Sequence, residues 1–212
     1  MTHTLHREGS EDSLKNDYLL LITPAIGYND EGAAEKIKDL IDIVFEVGPI
    51  NYGCYELGQN ILSDKINVDV IKNETRDNSR IRCVFSSKEK FKEVIERVIE
   101  EDTGLSVTLS ALRSDIGEIL DEMDIDPHSA NLSLGIHGNM DELPDGNYRK
   151  ITTMCGHAMI SPGLVEDMIQ KINEDKISYE EAAVKLAEPC LCGIFNQERA
   201  EELLRELTPL YA

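Results

Sequence analysis

Two tripeptides, Cys155-Gly156-His157 and Cys190-Leu191-Cys192, gather three of the five cysteines and one of the five histidines of this chain. Thiolate and imidazole are the donors that soft divalent ions and iron-sulfur clusters need. In each tripeptide the donors stand two residues apart, and Gly156 and Gly193 relax the backbone beside them. Cys155, His157, Cys190 and Cys192 are therefore the expected ligands of a metal centre, either zinc or an iron-sulfur cluster. Their C-x-H and C-x-C spacings are less diagnostic than paired C-x-x-C turns, and they leave the choice open.

The same residues support a second chemistry without metal. Cys155 is expected between a strand and a helix start, where helix-end amides and a nearby imidazolium lower a thiol's pKa and make it a nucleophile. A third reading makes the cysteines small apolar fillers beneath a helical lid. His137 ends a predicted strand at Gly135-Ile136-His137-Gly138 and is the candidate general acid or base beside Cys155. The plainer alternative for His137 is a histidine bonded to backbone in a turn. Cys54 is expected to face the same cavity, and Cys83 to lie in the core; His3 and His6 are given no role.

Composition narrows the setting. The chain has 212 residues, enough for one good core without disulfides, so stability does not explain the cysteines. The first sixteen residues are polar and charged, and the longest early apolar run is Tyr18 to Ile22. A cytoplasmic, reducing compartment is expected, where grouped thiols serve as metal ligands or redox groups more often than as bridges. The 41 acidic and 21 basic residues give a formal charge of -20, spread along the chain. Such a surface repels phosphate backbones and anionic lipid, so neither nucleic acid nor membrane is an expected partner. A small-molecule substrate is. Phosphate-cradling, dinucleotide-binding, H-E-x-x-H and G-x-S-x-G motifs do not occur in the sequence.

The elements that must position the donors follow from periodicity. Residues 1–16 read as a disordered tail. Residues 18–23 form an apolar run, hence a buried strand, followed by a helix with Ile37, Leu40, Ile41, Val44 and Phe45 on one face that Asn29 or Asp30 caps and Gly48-Pro49 ends. Residues 51–65 are expected as a loop and a short helix near residues 55–62. Ile66, Val68 and Val70 alternate as a strand, and residues 81–85 return as its partner. Ser86 and Glu89 make a capping box for a helix through Phe91, Val94, Ile95, Val98 and Ile99, and residues 105–109 alternate as another strand.

The resulting β-α-β-β-α-β order over residues 17–112 predicts an α+β fold of the ferredoxin-like, split βαβ kind, with an antiparallel sheet and both helices on one face. Residues 113–212 are expected to add a C-terminal, mainly helical extension. It opens with a helix over residues 115–123 and a hairpin of strands at 131–137 and 148–154, with Cys155 at the hairpin's exit. Helices follow from Ser161-Pro162, from the Ser178 and Glu181 capping box, and from Asn196. Cys190 and Cys192 fall in the break between the last two.

The functional expectation is a cytoplasmic metalloprotein with a Cys/His-ligated centre, catalytic on a small molecule if one coordination position stays open. The alternatives are a metal-free thiol enzyme using Cys155, and a regulatory module whose sheet face binds a small ligand or a second copy of the chain.

Overall fold

The computed structural model describes residues 6–63 and 65–211. Five strands form one antiparallel sheet: β1 (Tyr18–Thr23), β2 (Asn51–Cys54), β3 (Gln59–Asn60), β4 (Ile81–Phe85) and β5 (Ser106–Ser110), in the order β3-β2-β4-β1-β5. Central β1 pairs Leu20 with Cys83 of β4 on one side and with Leu109 of β5 on the other. Its first five residues are all buried. A continuous apolar run is what a strand needs when both faces of its sheet are covered.

Alternation along the central strands sends side chains into two cores. Tyr18, Leu20, Ile22, Ile81, Cys83 and Phe85 pack with helices α2 (Ala33–Val47) and α4 (Lys88–Glu100). Leu19 and Val84 point the opposite way, into a second core made by α6 (Gly146–Thr152), α7 (Pro162–Asn173), α8 (Tyr179–Ala187) and α9 (Gln197–Leu207). The sheet is thus the middle of three layers, and the cysteine tripeptides belong to the C-terminal one.

Most of the expected caps are present. Ser161 accepts from Leu164 N–H with Pro162 opening α7, the Ser178–Glu181 box closes in both directions, and Asn196 accepts from Arg199 N–H. Two caps differ: Gly32 precedes α2 in a left-handed conformation, and Ser87, one residue later than expected, caps α4.

Four expected segments are corrected. Residues 51–60 hold the β2–β3 hairpin rather than a loop and helix, with Cys54 paired to Gln59. Ile66, Val68 and Val70 do not form a strand; Asn67 accepts from Val70 N–H and starts α3 (Val68–Glu74). The C-terminal hairpin is absent among the described residues: residues 131–137 are an exposed irregular segment, and residues 146–152 are helical because Asp145 caps them and Ile151, Met154 and Cys155 follow helical spacing into the core. Of the expected tail, residues 1–5 lie outside the described part. The rest carries α1 (Glu11–Leu14) and Arg7, which joins a buried ion-pair cluster.

That cluster ties the two ends of the chain together. Arg7 and Arg199 both pair with Asp17 Oδ2, at 2.5 and 3.1 Å, and all three side chains are nearly inaccessible. Arg199 also donates to the Glu8 carbonyl and to Ser13 Oγ, while Arg7 donates to the Ile194 carbonyl, just beyond the second cysteine tripeptide. Among the described residues no helix is long and apolar enough to cross a membrane.

Candidate metal centre

Cys155 lies in a tight turn after α6, where Ala158 N–H donates to the Cys155 carbonyl and Ala158 takes a positive φ of 55°. Cys190 and Cys192 occupy the turn between α8 and α9, closed by Gly193 N–H on the Cys190 carbonyl. The packing of α6, α7, α8 and α9 around one core brings the two turns together.

The β2–β3 hairpin fixes the second turn from the sheet side. Asn60 donates to the carbonyls of Ala187 and Cys190, at 2.9 and 3.2 Å. Asn51 donates to the Phe195 carbonyl, and Gln197 returns a bond to the Ile50 carbonyl. The crossing is so close that a Cβ on Gly53 would sit 2.1 Å from the Cys192 carbonyl carbon, and one on Gly193 2.1 Å from Gly53 N. Gly193 has a φ of 64°, a left-handed conformation that glycine adopts without penalty. Glycine at positions 53 and 193 is the trace that this contact leaves in the sequence.

All three cysteines are buried, and His157 is exposed at their edge. Cys190 Sγ stands 3.8 Å from Cys192 Sγ, which in turn stands 3.6 Å from His157 Nδ1. Its contacts with Cys155 and Cys192, together with burial, push the Cys190 pKa up, so Cys190 is the thiol of the three that keeps its proton. The hydrogen bond from Cys190 lowers Cys155 to about 6 against the penalty of burial, helped by the amides of Met159 and His157. The same donor lowers Cys192 to about 6, again against burial, with help from the Ile194 amide and from His157. One protonated thiol is thus shared between two thiols whose pKa values are lowered. Each thiolate also accepts from the amide two residues further on.

The four expected donors therefore converge in adjacent turns. Among the described residues, however, no group of three or more His, Cys, Asp and Glu side chains is placed so that it could hold a metal ion. His137 is not part of the cluster: it sits exposed in the irregular segment 131–137 with its ring bonded to the Leu134 carbonyl at 2.9 Å, which is the turn arrangement and not a general base aimed at Cys155. Cys54 packs into the core on the α2 side of the sheet, away from the site, and burial raises its pKa; Cys83 shares that core.

Residues the sequence did not single out surround the centre. Asn51, Gly53 and Asn60 hold the Cys190–Cys192 turn. Arg82 on β4 lies on the same side of the strand as Val84, facing the C-terminal layer, and Cys192 is the strongest negative influence on it. A hollow of about 690 Å³ lined by Arg7, Glu8, Asp145 and Lys150 includes none of the four donors. Comparison with known protein families, with curated proteins and with solved structures finds no match to this chain.

Proposed function

We propose that the protein is a metalloprotein in which Cys155, His157, Cys190 and Cys192 bind a single tetrahedral ion of the zinc type. The observation that carries this is donor spacing. Zinc–sulfur and zinc–nitrogen bonds of about 2.3 and 2.0–2.1 Å at the tetrahedral angle give edges of roughly 3.8 Å between sulfurs and 3.6 Å between sulfur and nitrogen. The Cys190–Cys192 and Cys192–His157 separations are 3.8 and 3.6 Å. A four-iron cluster puts each thiolate on a different iron, which calls for a wider spacing than that of neighbouring ligands on one ion. Filling the shell takes rotation of Cys155, already hydrogen-bonded to Cys190, and of the exposed His157.

Three buried thiols and one solvent-facing imidazole make His157 the exchangeable ligand. Its replacement by a small molecule opens the Lewis-acid position that a catalytic centre requires. The strand order supports the split βαβ reading of the sheet: without the two-residue β3 it runs β2-β4-β1-β5, with α2 and α4 as the two connections. Five unbridged cysteines fit a reducing cytoplasm.

Elemental analysis of anaerobically purified protein tests the reading. About one zinc per chain is expected, lost in Cys192→Ser. Iron with a broad visible absorbance would replace the single ion by a cluster. A folded, metal-free protein whose Cys155 alkylates fast near neutral pH would favour a thiol enzyme, the reading that the lowered pKa values of Cys155 and Cys192 independently support.

A further inference from the structure

Cys190 and Cys192 are two unbridged thiols of one turn, with their sulfurs 3.8 Å apart. The backbone that carries them is held from several sides. Gly193 N–H closes the turn on the Cys190 carbonyl, Asn60 donates to that same carbonyl, and the Gly53 crossing fills the space beside the Cys192 carbonyl. The sulfurs are thus kept as neighbours, and side-chain rotation is what separates the 3.8 Å contact from a disulfide of about 2.05 Å. Their access to solvent differs. Cys190 is wholly buried, whereas the sulfur of Cys192 has the exposed His157 ring 3.6 Å away, within the run of exposed residues 156–159. A small oxidant meets Cys192 first, and a macromolecule reaches neither sulfur.

We propose that Cys192 and Cys190 are a dithiol that reduces hydrogen peroxide and closes to a disulfide in doing so. The Cys192 sulfur attacks one peroxide oxygen and the O–O bond breaks. The other oxygen leaves as water with the thiol proton, and Cys192 becomes a sulfenic acid. The Cys190 sulfur then attacks the Cys192 sulfur, the S–O bond breaks, and the hydroxyl leaves with the Cys190 proton as a second water. Peroxide gains the two electrons that the two thiols lose. A C-x-C disulfide closes a small ring in a turn whose backbone is pinned, so it is strained and reopens with small thiols. The step uses no ion; one bound to these sulfurs would have to leave first, so this proposal and the metal reading are tested apart.

The test starts from full-length protein that has been reduced, treated with a chelator and freed of both reagents. It is exposed to hydrogen peroxide, its remaining thiols are alkylated, and it is digested with trypsin for mass spectrometry. The peptide from Leu186 to Arg199 holds both cysteines. It is expected to be two hydrogen atoms lighter and unalkylated, and to become alkylatable again after dithiothreitol. Cys155→Ser should leave this result unchanged, whereas Cys190→Ser should stop at the sulfenic acid, trapped on Cys192 by dimedone. A wild-type peptide that stays fully alkylatable after peroxide, or a disulfide that joins Cys155 to either sulfur, would overturn the proposal. Metal content is measured on untreated protein, so either reading can fail without the other.

Discussion

Replacing Gly53 by alanine tests whether the sheet holds the cysteine turn in place. The added Cβ would meet the carbonyl carbon, oxygen and Cα of Cys192 at 2.1, 2.3 and 2.5 Å. These are backbone atoms and cannot swing aside as the end of a side chain would. Restoring ordinary contact moves the Cys192 backbone or β2 by about 1 Å or more, and overpacking of this kind costs typically 1–3 kcal/mol. The obstacle is rigid, so a loss of about 3 kcal/mol is expected, a large part of the total stability of a small domain. The Asn60 bonds to Ala187 and Cys190 lie beside the displaced segment and weaken with it. Gly117→Ala is the control: it sits in α5 (Arg113–Glu122) with nothing within 4 Å of its added Cβ, and should stabilise by roughly 1 kcal/mol through helix propensity. Urea unfolding measures both, and metal content or thiol reactivity follows the geometry of the turn. A Gly53→Ala midpoint equal to wild type, with unchanged Cys192 reactivity, would refute the close crossing.

Further outcomes concern charge. In metal-free protein, the alkylation rates of Cys155 and Cys192 should rise with midpoints near pH 6, and Cys190→Ala should move both midpoints up because the shared donor is gone; midpoints at the ordinary thiol value in the wild type would contradict the shared-proton arrangement. Because these two thiols have folded pKa values below their unfolded ones, the stability they contribute is present in full above the ordinary thiol pKa and is lost as pH falls through about 6, which urea midpoints across that window will follow. Arg199→Met should cost about 3 kcal/mol in thermal or chemical unfolding, at the lower end for a broken buried pair, because Asp17 keeps Arg7 while the Glu8 carbonyl and Ser13 hydroxyl lose their donor.

Much of the frame was legible because helix signals are local. Ser161-Pro162, Ser178 with Glu181, and Asn196 each satisfy amides of their own first turn, so sequence alone identifies the starts of α7, α8 and α9. The failures arose where apolar spacing fits two periods. Val68 and Val70 alternate, yet Asn67 has the side chain that caps a helix, and the local bond prevailed. Residues 148–154 look β-branched and mixed, but Ile151, Met154 and Cys155 fall on one helical face. Leu132, Leu134 and Ile136 alternate well for a strand, but among the described residues no neighbouring strand takes up their backbone groups, and positive φ at Gly135 and Gly138 breaks the extension. The grouping of Cys155, His157, Cys190 and Cys192 was readable from spacing. The roles of Asn51, Gly53, Asn60 and Arg82 were not, because they depend on which strand lies under which turn.

The two-sided sheet also sets a timetable for synthesis. All five strands have been made once Ser110 leaves the ribosome, but the helices that cover Leu19 and Val84 come from α6 onward, and α9 ends only at Leu207. The nascent chain therefore presents one wet, apolar face of its sheet throughout the translation of the second half, a state that attracts chaperones and invites aggregation. The two cysteine turns can meet only after α8 has been made, so an ion of the kind proposed could not guide the earlier steps.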